Sequence, residues 1–177
     1  MNLIENWAVK IAAEITPNEI DLAPDMTAAY LAGGESRDQL YMQSKGGGLG
    51  GFGSGEVQVI FPIILSCITA ASSAIVAILC APQVGTILAV IKSVLEIKDI
   101  AGRQKKVSEE LPEHAYGSLK QTLDAFSTGL KSVGYTQDQC DILTYRFMAT
   151  LLEDPKSAQD FVKPFSASSK LNHMNRV

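Results

Sequence analysis

From Val57 to Ile91 the chain runs for 35 residues without a charged side chain. A stretch of that length has to be covered, either by protein or by lipid, because it offers water almost nothing to solvate. Its densest part, Val59 to Cys80, has 22 residues, eleven of them Ile, Leu, Val or Phe. A bilayer core takes about 20 mainly apolar residues as a helix, and each of those large side chains favours insertion by roughly 0.3–0.6 kcal/mol. Four hydroxyl residues (Ser66, Thr69, Ser72 and Ser73) and Pro62 offset part of that gain. The segment predicts membrane contact; the central core helix of a soluble protein is the alternative. The rest of the chain is short for covering such a helix on every side.

Two arrangements fit this segment. A single helix could span at 59–80 and be broken or kinked by Pro82, or the chain could turn near Ala81-Pro82-Gln83 and return through Val84 to Ile97. In the return, Val84, Ile87, Leu88, Ile91, Val94 and Leu95 follow helical spacing, while Lys92 and Glu96 fall on other faces. Small residues recur at every fourth position: Thr69, Ser73, Ala77, Ala81, Gly85, Ala89 and Ser93. Such a stripe lets helix backbones approach closely and predicts self-association, hence a homo-oligomer. The hydroxyls of Ser66, Thr69, Ser72 and Ser73 are candidates to line a wet lumen in that assembly.

Charge is distributed unevenly around this segment. Residues 1–56 carry eight acids and three bases, whereas residues 92–111 carry five bases and four acids. The basic flank, with Lys98, Arg103, Lys105 and Lys106, follows the uncharged segment directly, where the positive-inside rule expects cytoplasmic residues and where anionic head groups are within reach. The formal charge of −4 excludes a global basic field, and the sparse aromatics are not interleaved with bases, so nucleic acid is not an expected partner. Glu5 and Glu14 near the start, with no apolar core, predict that no cleavable signal peptide directs insertion. The expected location is the cytoplasmic (inner) membrane, with the cytoplasm as the alternative.

The flanks read as helices, so the predicted fold is all-α. Residues 1–44 form an acidic helical unit. Ile4, Trp7, Ala8, Ile11, Ala12 and Ile15 give its first helix one apolar face. Thr16-Pro17-Asn18-Glu19 has the pattern of a capping box. A helix over 24–32 should stop at Gly33-Gly34, and a short one is expected over 36–43. Residues 45–56, with seven glycines between Lys45 and Gly55, read as a flexible linker. Gly46-x-Gly48-x-x-Gly51 and Gly48-x-Gly50-x-x-Gly53 match the dinucleotide pattern literally, yet no buried strand precedes them and no βαβ unit follows. Residues 57–106 hold the apolar segment and its basic flank. Residues 112–165 read as a bundle of three helices. The first carries Ala115, Leu119, Leu123, Phe126 and Leu130 and closes at Gly134. The second is capped by Thr136 and Gln139 and carries Cys140, Leu143, Phe147, Met148 and Leu151. The last is short, capped by Asp154-Pro155, and bears Ala158, Phe161 and Val162. Residues 166–177 form a polar tail.

Chemistry is thinly represented. His114 and His173 have no partner at metal-ligand spacing, and Cys67, Cys80 and Cys140 are too widely spaced for a zinc site or a disulfide framework. No nucleophile elbow, His-Glu-x-x-His helix or Cys/His pair occurs, and carboxylate pairs such as Glu109-Glu110 and Glu153-Asp154 fall at helix ends. No catalytic residue, metal or cofactor is expected. The reading is a small oligomeric membrane protein that forms a pore or perturbs the bilayer, in the manner of small bacterial defence or toxin effectors. Residues 1–44 or 112–165 would receive a protein partner. The alternative is a soluble helical assembly or adaptor protein whose apolar helix is a shared core.

Overall fold

The computed structural model describes residues 1–44 and 59–174, with side chains placed up to 42 and from 59 to 167. The glycine-rich stretch 45–56, including both Gly-x-Gly-x-x-Gly matches, lies outside the described residues. Among those described there are nine α-helices and no strand, as an all-α chain requires.

Helix α1 (Leu3–Ile15) begins with a capping box the sequence reading passes over. The Asn2 side chain accepts from the Glu5 N–H, and the Glu5 carboxylate accepts from the Asn2 N–H, both at 2.9 Å. Its buried face is Trp7, Ala8, Ile11, Ala12 and Ile15, as the spacing predicts. The capping box expected at Thr16–Glu19 does not form. Pro17–Glu19 makes only one 3-10 turn with no side-chain cap, Thr16 Oγ1 is buried without a hydrogen bond, and Glu19 is directed to a different helix. Helix α2 (Ala23–Ala32) ends at Gly33, whose φ of +71° is open to glycine at no steric cost, and α3 (Gly34–Ser44) follows at once.

The apolar segment forms α4 (Phe61–Leu79), and the chain breaks at residues 80–83, where a turn is one of the two expected arrangements. Helix α5 (Val84–Leu95) does not return along α4, however. It packs on α8 (Gln137–Leu152) and on α6 (Ile100–Glu110), so the two apolar helices do not form a hairpin. Helix α6 is capped by Asp99, which accepts from the Gly102 N–H at 2.6 Å.

Helix α7 (Glu113–Lys131) buries Ala115, Leu119, Thr122, Phe126 and Leu130. It closes through Gly134 at φ +95°, where the Tyr135 N–H donates to the Leu130 carbonyl at 3.2 Å. The predicted box at Thr136 and Gln139 does cap α8, and Asp154 accepts from the Ser157 N–H at 3.3 Å to start α9 (Pro155–Met174). Helix α9 is longer than the short element expected. It passes through Pro164 and continues to Met174, because Phe165, one residue on, is fully buried and its packing outweighs one missing backbone bond.

Helix α4 lies at the centre, packed against α7 and α9 with α2 on a further side, while α8 sits among α1, α5 and α7. A single core runs from Trp7 to Phe165 and takes residues from both sides of the undescribed stretch.

Candidate functional site

The site is built around α4, whose surface is organised by residue size. Twelve of its 19 residues are buried, including Phe61, Ile64, Leu65, Ile68, Ile75, Ile78 and Leu79. No Ile, Leu, Val or Phe of this helix is exposed; the residues facing out are Ala70, Ser73 and Ala77. On the opposite side α7 comes very close at Gly129, where an added Cβ would collide with Cys67 Sγ and lie 3.4 Å from Ile63 Cγ2. Glycine is required there for helix–helix approach.

Helix α4 carries no charge and no side-chain cap of its own, so the polar side-chain contacts holding its ends come from elsewhere. At its start the two Glu19 carboxylate oxygens accept from the Ile60 and Phe61 N–H groups, each at 2.8 Å. Pro62 has no N–H to offer, and the Ile63 and Ile64 N–H groups already bond to the Ile60 carbonyl. One carboxylate therefore satisfies the amides left over, in a position the helix dipole also favours. Glu19 is 7% exposed, and burial together with its negative charge pushes the Tyr135 hydroxyl pKa upward. At the other end Gln159 Nε2 of α9 donates to the Leu79 carbonyl at 3.2 Å.

Two tyrosines hold the middle. The Tyr30 and Thr69 hydroxyls are hydrogen-bonded at 2.9 Å, and Tyr41 of α3 bonds to Ser66 Oγ and donates to the Pro62 carbonyl at 3.3 Å. Desolvation pushes the Tyr41 hydroxyl up to about 12, so it is a neutral donor at any physiological pH. Tyr30 is itself clamped. Its ring meets Phe165 at 6.0 Å, and the Arg37 guanidinium lies 4.3 Å over the ring while Arg37 Nε donates to the Tyr30 carbonyl. Phe165 continues through Phe161 to Trp7, whose indole N–H donates to Ser157 Oγ at 2.9 Å.

The residues singled out from sequence are placed as follows. Ser66 and Thr69 are half-buried and bonded to the tyrosines, Ser73 is exposed on the same face, and Ser72 is turned into the core. The small-residue stripe is divided between two helices. Thr69, Ser73 and Ala77 run along α4, Ala81 is buried in the break, and Gly85, Ala89 and Ser93 run along α5. Of these, Ser73, Ala77, Gly85 and Ala89 are exposed. In the basic flank Lys98 and Lys105 are exposed and Lys106 is half-buried against Glu110 at 2.7 Å. Arg103 is buried, donating to the Ile97 and Lys98 carbonyls at 2.8 Å and pairing with Asp138 at 2.6 Å. Its guanidinium ties the α5–α6 turn to the start of α8 and does not face outward.

Glu19, Tyr30 and Tyr41 were not legible as a site. Tyr30 and Tyr41 lie on helices whose pattern is weakly amphipathic, and the partners are 39, 25 and 41 or 42 residues away. Among the described residues no group of three His, Cys, Asp or Glu side chains is placed to hold a metal ion. No protein-family model matches the chain, nor does any curated protein or solved structure.

Proposed function

We propose that this chain is a membrane-acting protein without enzymatic activity, held in a sheathed state from which α4 is delivered to a bilayer. The observation that carries this reading is the origin of the polar contacts to α4. Glu19, Tyr30 and Tyr41, all within the first 44 residues, supply its N-terminal cap and the partners of its half-buried hydroxyls. When they withdraw they leave an uncharged 19-residue helix, about 28 Å long at 1.5 Å per residue, close to the thickness of a bilayer core.

In the bilayer, Ser66, Thr69 and Ser73 would share one face, and copies of α4 turned inward on that face would line a polar lumen as a homo-oligomer. Lys98, Lys105 and Lys106 are the bases available to anionic head groups on the cytoplasmic side. The N-terminal helices or α7–α9 would receive the triggering partner. Fractionation of expressing cells with carbonate extraction, followed by dye release from liposomes, tests this. Retention in the extracted pellet and release of dye are expected; a protein that stays in the soluble fraction under every condition overturns it.

A second reading, a soluble assembly protein, draws on the absence of exposed large apolar residues along α4 and on the outward-facing Ser73, Ala77, Gly85 and Ala89. Such a protein would purify without detergent as one oligomer. The double substitution Ala77→Leu and Gly85→Leu would break that oligomer if the small-residue face is its interface.

A further inference from the structure

We infer that Glu19 is a latch: its buried carboxylate keeps α2 and α3 seated on α4, and loss of that carboxylate frees the start of α4 before the C-terminal helices let go. The inference rests on the membrane-acting reading above and assigns its regulation. Three observations converge on it. The Ile60 and Phe61 amides have no cap within their own helix, and Pro62 removes the next donor, so the start of α4 depends on a residue 41 positions earlier. Glu19 is one of only two buried carboxylates among the described residues, and it spends both oxygens on this one helix end. The other direct ties from α2 and α3 to α4 that involve side-chain oxygens among the described residues, at Tyr30 and Tyr41, lie further along the same helix.

The order of release follows from what holds each side. Helix α3 buries none of its described side chains and is seated through half-buried Arg37, Leu40 and Tyr41. Helices α7 and α9 are held to α4 by close packing of large apolar groups, which no single polar substitution at residue 19 disturbs. A cap borrowed from another segment also departs with that segment. A carboxylate within α4 itself would remain with the helix as a charge at the edge of the bilayer.

The test compares Glu19→Gln with Thr136→Ala, which removes the cap of α8 and does not touch α4. Amide hydrogen exchange and dye release from anionic liposomes are measured on the full chain. For Glu19→Gln, exchange over residues 60–66 should accelerate about tenfold or more while α7 and α8 keep their protection. Dye release should rise for Glu19→Gln and not for Thr136→Ala. Glu19→Asp, which keeps the charge on a shorter arm, should fall between wild type and Gln; it also keeps the test readable if Gln does not fold. Acceleration spread evenly over all helices, or no acceleration at 60–66, overturns the latch. Local acceleration with no release from liposomes by any variant leaves the latch standing and overturns the membrane reading instead.

Discussion

The two sides of α4 are held by different physics. Toward α7 and α9 the contact is mainly apolar, with one amide bond from Gln159 to the Leu79 carbonyl, and close enough that Gly129 has no room for a methyl group beside Cys67. Toward the N-terminal unit apolar residues of α2 such as Ala23 and Met26 join the same core, but the start and the half-buried face of α4 are met by hydroxyls and one carboxylate, at Tyr30, Tyr41 and Glu19. Apolar contact is non-directional and is lost only in proportion to the area separated, whereas a hydrogen bond exchanged for water costs little net free energy. The first side is held in proportion to its buried area, the second in part by a few groups that water can replace. The two buried carboxylates repeat the contrast. Glu19 faces a helix N-terminus, while Asp141 on α8 has, among the described residues, the Gln137 amide at 2.7 Å as its one side-chain hydrogen-bond partner.

The largest effect is expected on the apolar side. Phe126→Ala, at a fully buried position of α7 whose ring lies 4.9 Å from that of Phe147 in a tilted arrangement, should cost about 3–5 kcal/mol in urea unfolding. Gly129→Ala should cost about 1–3 kcal/mol, since its Cβ would collide with Cys67 Sγ. Cys67→Ala in the same chain should recover a measurable part of that loss, and strict additivity of the two would show that the approach is looser than described. On the polar side Tyr41→Phe and Tyr30→Phe should each cost about 1 kcal/mol, with faster hydrogen exchange confined to α2, α3 and the first half of α4. An equal loosening of α7 would erase the contrast.

The smallest effect concerns Asp141, whose carboxyl pKa is raised mainly by burial. A carboxyl whose folded pKa lies above its unfolded value stabilises the fold fully below the unfolded value, and that contribution is lost as pH rises through the folded one. Asp141→Asn should therefore stabilise the protein at neutral pH and make no difference in strong acid. A stability profile against pH identical to wild type would sink this.

Much of the fold is written locally. The periodicity of α1 and α7, the caps at Thr136 and Asp154 and the stop at Gly33 depend on residues a few positions apart, and all appear. What was not legible depends on distant partners. Glu19 has the spacing of a local capping box, but the uncapped amides of α4 compete for it and win. Pro164 looks like a helix stop until the burial of Phe165 is known. Helix α8 mixes Asp141, Thr144 and Thr150 with its apolar residues and nevertheless buries ten of 16 positions. Helix α4 shows the converse. A charge pattern finds no outward face in it, because that face carries small side chains such as Ala70 and Ala77 and the hydroxyls of Ser66, Thr69 and Ser73, with no charged residue among them.

The placement of these partners along the chain also sets the order in which a ribosome delivers them. Tyr30, Tyr41 and Glu19 are made before α4, whereas the aromatic residues of α9 follow it by roughly 85 residues, about 4–17 s at the usual pace of translation. Early in that interval, until α7 has been made, the newly made α4 has only the N-terminal helices beside it, and its bulky face lacks the two helices it packs on most closely. Under the proposed membrane-acting function, a chaperone or the insertion machinery would meet the helix in that window, and slowing or speeding synthesis between residues 80 and 165 would change how the chains divide between water and membrane.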